Sequence, residues 1–259
     1  MALTNLPWVI DADELERLLG GPVLLLNDLA AHPYAIPSAT ADQLLCLRPG
    51  TPQQGNIAVI AAGTGLGEAM LLRDGKVTVA CATEGGHTSF APTTAAQIEL
   101  LAFLQKTHHH VSWERVVSGL EGFRNLYDFL LASGRIEVPA GDVRLYAGQH
   151  DIGAPLLAAY AEGKPYAGEV VRWFLELYAA EAGNLALKSM AVGGMYFAGG
   201  IAPRLVEAMR QPEFARTFAA KGRFRPMLDA VPLHILTDPL AALRGAALYA
   251  LAKLGNSSV

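Results

Sequence analysis

Three short segments carry residue types whose spacing suits chemistry on a polyol and a phosphate. The first is Asn27-Asp28, an amide beside a carboxylate after the apolar run Val23-Leu24-Leu25-Leu26. If that run is a buried strand, it delivers Asp28 to a cleft. There the carboxylate can accept a proton from a substrate hydroxyl while Asn27 orients it. The plain alternative is an Asn-Asp pair that only caps the following segment.

The second segment is Ala62-Gly63-Thr64-Gly65-Leu66-Gly67. Glycines at alternate positions let backbone N–H groups converge on a phosphate without side-chain obstruction. The run lacks the GK[ST] ending of a Walker A loop and sits between two strand-like runs, so it is also a poor dinucleotide fingerprint. A plain hairpin fits it equally well. The third is Thr83-Glu84-Gly85-Gly86-His87, where Glu84 and His87 can bond neighbouring hydroxyls from two sides. Metal ligation ranks lower because no further Cys or His stands at ligand spacing.

Two lesser features complete the inventory. Ser112 reads as a helix N-cap that puts Glu114 in the first turn, where the helix dipole favours its charge. The run His108-His109-His110 reads as a solvated loop, since three consecutive imidazoles cannot face one ion.

The elements that must position these residues follow an α/β pattern. Strands are expected near 22–26, 56–61, 69–72, 77–81, 195–198 and 232–236, with a loop carrying Pro33 and Pro37 after the first. The spacing predicts helices near 94–107, 112–118, 121–133, 151–162, 166–190 and 240–254. A strand, Gly199-Gly200-Ile201 turn and helix near Pro203 form one further unit.

Composition bounds the reading. The 259 residues are 52% hydrophobic and 17% charged, enough apolar content for a large core. A net charge of -4 without a dense Lys/Arg run argues against nucleic acid as a partner. No apolar window reaches the roughly 20 residues that span a bilayer, so no membrane association is expected. Only Cys46 and Cys81 occur, which suits a reduced, cytoplasmic setting.

Taken in order, TNLPW (4–8), LLLNDLAA (24–31), AAGTGLGEA (61–69), EGGHTSFAP (84–92), VSWERVVSG (111–119), GNLAL (183–187), FAGGIAPR (197–204) and KGRF (221–224) resemble bacterial glucokinases of the non-ROK type. The resemblance spans nearly the whole chain. It implies the hexokinase-like, actin-like ATPase (ribonuclease H-like) fold of two lobes around a cleft. Residues 1–38 and 238–259 would belong to the small lobe and 39–237 to the large lobe.

The resemblance also implies roles. Asp28 would be the base toward the sugar 6-hydroxyl, and Asn27, Glu84, His87 and Glu114 would bind glucose with it. Gly63, Thr64 and Gly65 would form a phosphate turn, and Gly199, Gly200 and Ile201 would contact ATP. Mg²⁺ would arrive with the nucleotide, with no protein metal site, and a homodimer is compatible.

Departures from the family pattern are local. TEGGH stands for the usual GEGGH, Ser89 for an aspartate and SGLEG for SGPGL; the zinc-binding cysteines of the ROK kinases are missing. The family also opens with a strand, a DxGGTN-like turn and a hairpin, ahead of where this sequence begins. The expectation is therefore an incomplete N-terminal lobe, with a catalytically impaired sugar-binding protein as the alternative to an active kinase.

Overall fold

In the computed structural model the described residues are 9–51, 53–75 and 77–255, so the TNLPW motif lies outside them. Among these residues one sheet has six strands: β1 (Leu44–Arg48), β2 (Ile57–Ala62), β3 (Leu66–Asp74), β4 (Val77–Thr83), β5 (Gly194–Ala198) and β6 (Leu233–Leu236). Their order is β1-β6-β5-β2-β3-β4. The β2-β3-β4 meander is antiparallel, β5 runs parallel to both β2 and β6, and β1 closes the edge antiparallel to β6.

β2 reads IAVIAA with no polar residue, as a strand covered on both faces must. Its alternate side chains enter two cores. Ala58, Ile60 and Ala62 join the larger core against the helix Pro165–Ser189, where Phe174, Tyr178 and Phe197 pack edge and face. Tyr178 satisfies its buried hydroxyl by donating to the Ile60 carbonyl at 3.1 Å. Ile57 and Val59 face the other way, into a smaller core with Ala35, Ile36, Tyr196 and Ala241.

That second face is covered by two helices from opposite ends of the chain, Asp28–Ala35 and Ala241–Gly255. They approach so closely that a Cβ on Gly245 would stand 1.9 Å from the Ala31 carbonyl oxygen. The rings of Tyr34 and Tyr249 lie 5.0 Å apart beside this contact.

Three expectations are corrected. Residues 22–26 form no strand. A strand needs a ladder partner, no described strand pairs with these residues, and Leu24 and Leu25 are 50% and 38% exposed. The loop expected around Pro33 is instead helical, and Pro37 lies in a 3₁₀ turn; Asn27 caps the helix and packing on Ala241–Gly255 outweighs the hydrogen bond lost at Pro33. Residues 112–118 are a series of turns, not a helix, because Ser112 bridges Ser89 and Trp113 N–H bonds the Thr88 carbonyl at 3.0 Å.

The edge strand β1 and the helices Ala12–Leu19 and Ala140–Tyr146 escape the sequence pattern. β3 starts three residues earlier than expected, so the glycine turn proper is residues 63–65.

Candidate functional site

Asn27 and Asp28 stand at the start of a helix, not at the end of a strand. The Asn27 side-chain oxygen accepts from Leu29 N–H at 2.9 Å and Ala30 N–H at 3.2 Å, the geometry of an N-cap. Asp28 Oδ1 accepts from Leu29 N–H at 2.8 Å, and the Asp28 side chain is exposed. The cap reading of this pair is therefore correct as far as it goes. It also positions the pair, because the next residue, Leu29, packs on Gly67 of β3, where a Cβ would stand 2.7 Å from Leu29 Cδ2. Asp28 thus precedes a residue packed on β3, the strand that follows the glycine turn.

The turn Gly63–Gly65 is closed by Gly63 N–H donating to the Gly65 carbonyl at 3.0 Å. It is held from outside by Gly119 N–H to the Gly63 carbonyl at 2.7 Å and Leu120 N–H to the Thr64 carbonyl at 3.3 Å. Glu114 ties it further, with Oε2 accepting from Leu66 N–H at 2.9 Å. A Cβ at residue 65 would stand 2.5 Å from that carboxylate oxygen, so a larger residue there would displace the Glu114 side chain from the turn.

Glu84 and His87 bound a short 3₁₀ turn over residues 85–87 at the end of β4. His87 Nε2 lies 3.8 Å from Glu84 Oε2, and His87 Nδ1 lies 3.9 Å from Glu114 Oε1. Glu114 N–H donates to the Gly86 carbonyl at 2.8 Å, so main chain and side chain both converge. The structure thus brings together Glu84, His87 and Glu114. His87 and Glu84 are largely open to solvent, while Glu114 is partly buried. His110, read from sequence as part of a bare solvated loop, bonds the His87 carbonyl through Nε2 at 2.9 Å.

The second glycine turn leaves β5 next door. Gly199 has φ +83°, and a Cβ there would stand 2.4 Å from the Ala62 carbonyl oxygen, so its backbone lies directly against the end of β2. Because β2, β5 and β6 are parallel, the turns at 63–65 and 199–201 and the segment Thr237–Asp238 share one edge of the sheet, the usual place for ligands in such sheets. A cavity of about 330 Å³ opens there between Gly199, Gly200, Pro203, Thr237, Asp238 and His32. Among the described residues no group of three His, Cys, Asp or Glu is placed to hold a metal ion, and no helix is long and apolar enough to cross a membrane.

The arrangement also contains a buried acidic pair that sequence reasoning missed. Glu68 of β3 is 1% exposed beneath Gly85, and Glu181 of the helix Pro165–Ser189 is fully buried nearby. Burial, then the neighbouring Glu181 carboxyl, push the Glu68 acid up to about 8. The available signal was a glutamate inside an apolar strand; on the helix Pro165–Ser189, Glu181 and Lys188 are two among several charged residues and do not stand out.

The chain as a whole is similar to known proteins. The family model described as Glucokinase matches residues 1–253. Glucokinase from Trichormus variabilis is 40% identical over 96% of this chain and 77% of its own length. Among solved structures, glucokinase from an Antarctic psychrotroph superposes with TM-score 0.83 at 31% identity, covering 96% of this chain and 74% of that one. A ROK family glucokinase from Streptomyces griseus, solved with glucose and AMPPNP, shares the fold at TM-score 0.59 and 22% identity, over 91% of this chain and 70% of that one.

Proposed function

The chain belongs to the glucokinase family, a family of sugar kinases and hence of transferases, and from that premise we propose that it transfers the γ-phosphoryl group of ATP to the 6-hydroxyl of glucose. The observation that carries the reading is the convergence of His87 on both Glu84 and Glu114, with Glu114 also fastened to the glycine turn. One cluster of sugar-type ligands is thereby tied to one phosphate-type turn, the adjacency that phosphoryl transfer to a hydroxyl requires.

In this reading Glu84, His87 and Glu114 bond the sugar hydroxyls. Asn27 contributes its amide N–H₂, its oxygen being committed to the cap. Asp28 accepts the proton of the 6-hydroxyl as the oxygen attacks phosphorus; no described residue engages its second carboxylate oxygen. Gly63, Thr64 and Gly65 face the transferred phosphate, and Gly199 and Gly200 border the 330 Å³ cavity for the rest of the nucleotide, with Ile201 next in the same turn and its side chain buried in the core. Mg²⁺ carried by the phosphates supplies charge neutralisation when bound. Residues 1–38 and 238–259 are grouped as the small lobe against 39–237, a division suggested by the packing of Asp28–Ala35 on Ala241–Gly255. The unlinked Cys46 and Cys81 suit a cytoplasmic setting.

A coupled assay for glucose 6-phosphate with ATP and Mg²⁺ tests the proposal, run beside Asp28→Ala to exclude a contaminating kinase. Product formation that disappears in the variant is the expected result. Equal rates in both preparations, or no glucose-dependent ADP release from either, would overturn it.

A further inference from the structure

The Glu84–His87 turn rests on a buried carboxyl group, that of Glu68, one of whose oxygens has no hydrogen-bond partner. Glu68 points inward from β3, opposite Ile60 on β2 and Thr83 on β4. Its Oε2 is pressed against the turn: a Cβ on Gly85 would stand 1.8 Å from that atom. Gly86 is as tightly seated, with a Cβ there falling 2.2 Å from the Leu66 carbonyl oxygen. Thr83 links the layers, its hydroxyl donating to the Glu68 carbonyl at 3.3 Å and accepting from Gly85 N–H at 3.1 Å. Glu68 Oε1 is buried without a partner.

Around Glu68 the cations are engaged elsewhere, while Glu181 shares a side-chain hydrogen bond with it that only a protonated carboxyl can donate. From the helix Pro165–Ser189, Glu181 takes Lys188 Nζ at 3.2 Å on one oxygen and Asn184 Nδ2 at 2.7 Å on the other. Tyr178, on the same helix, donates to Ile60. Lys221, which follows the helix Pro212–Phe218, gives its ammonium to the Ala180 carbonyl at 2.9 Å and Asn184 Oδ1 at 2.6 Å. No cation among these is bonded to Glu68. A neutral acid can be housed in such a place, whereas a carboxylate there would leave Oε1 without a donor and face the Glu181 carboxylate.

We propose that Glu68 is a positioning residue for sugar binding: as a neutral acid it lets Gly85 and Gly86 close over β3 and holds Glu84 and His87 toward Glu114, and as a carboxylate it forces that turn open to admit water. The proposal rests on the reading of Glu84, His87 and Glu114 as sugar contacts. It gives the site an alkaline limit set by a residue that never touches the sugar. The burial of Glu68 beside Glu181, which raises its acid to about 8, puts that limit just above neutrality.

The test is glucose affinity by calorimetry from pH 6 to 10, for the native chain, Glu68→Gln and Glu181→Gln. In the native chain affinity falls above about pH 8, by up to about tenfold per pH unit, the slope set by loss of one proton. Glu68→Gln, which cannot ionise, flattens that limb. Glu181→Gln removes the neighbouring carboxylate and frees Lys188, so the break moves to lower pH. A native limb that Glu68→Gln leaves unchanged would overturn the proposal.

Hydrogen exchange at the His87 and Thr88 amides, which donate to Glu84 and Gly85 carbonyls at 3.0 Å, separates this idea from the sugar assignment. These amides exchange faster in the native chain than in Glu68→Gln above pH 8 if the turn opens, whether or not glucose binds there. Equal exchange in the two proteins at every pH refutes the positioning role. Absence of glucose binding with the exchange difference intact would refute the sugar assignment alone.

Discussion

Glu114 and Leu66 are joined by a 2.9 Å hydrogen bond from the Leu66 N–H to the Glu114 carboxylate, whose other oxygen lies 3.9 Å from His87 Nδ1. One side chain therefore spans the Glu84–His87 cluster, proposed to bind the sugar, and the glycine turn. Under the proposed site assignment, loss of this side chain disturbs both the Glu84–His87 cluster and the glycine turn.

Glu114→Ala is expected to raise KM for both glucose and ATP. A hydrogen bond to a charged group contributes about 1.5 to 3 kcal/mol, so each KM shifts by roughly one to two orders of magnitude. Glu114→Gln keeps an acceptor for Leu66 and recovers the ATP side more than the glucose side. Steady-state kinetics with each substrate varied checks this, and an unchanged ATP KM in Glu114→Ala would show that the turn holds without its tether.

Asp28 and Asn27 separate chemistry from folding. Asp28→Asn is expected to lower kcat by about 10² to 10⁴, the usual span for a proton acceptor, while glucose affinity changes only a few-fold. Asn27→Ala removes both cap bonds and costs about 1 kcal/mol of stability, read as a lower denaturation midpoint. A parallel loss of kcat and glucose affinity in Asp28→Asn would argue that the carboxylate binds rather than accepts a proton.

The two adjacent glycines after β5 should respond differently. A Cβ on Gly199 would stand 2.4 Å from the Ala62 carbonyl oxygen in a backbone with φ +83°, whereas a Cβ on Gly200 meets nothing within 4 Å. Gly199→Ala is therefore expected to destabilise by about 1 to 3 kcal/mol and Gly200→Ala by no more than about 0.5 kcal/mol. Urea titrations of the two variants decide it.

These relationships mark where sequence reading succeeds and where it stops. IAVIAA at 57–62 and the meander after it are legible because apolar strands bounded by glycine leave few alternatives. The grouping of Glu84 with His87 is legible because they are three residues apart. Glu114 is a different case: its segment resembled a helix, yet tertiary bonds from Ser112 and Trp113 to residues 88 and 89 override that local pattern. The apolar run at 23–26 shows the same limit, since a strand is a property of a pair and no sequence window contains the partner. Glu68 and Glu181 are 113 positions apart, so only the fold reveals that each faces the other.

His234 of β6 carries the last prediction, which concerns stability in acid. Its ring stacks on Tyr196 at 5.3 Å and its Nδ1 is buried without a partner. Burial holds the imidazole below its ordinary value of 6.5, because the charged form would lose water. For a base whose folded value is depressed, the unfolded chain binds more protons once the pH falls below 6.5, so stability declines from there toward the folded value and is retained above 6.5. His234→Phe keeps an aromatic ring against Tyr196 and cannot be protonated. Its denaturation midpoint is expected to decline less than that of the native chain between pH 7 and 5. Identical slopes would mean that other groups account for the acid limb and that the buried imidazole does not titrate in this range.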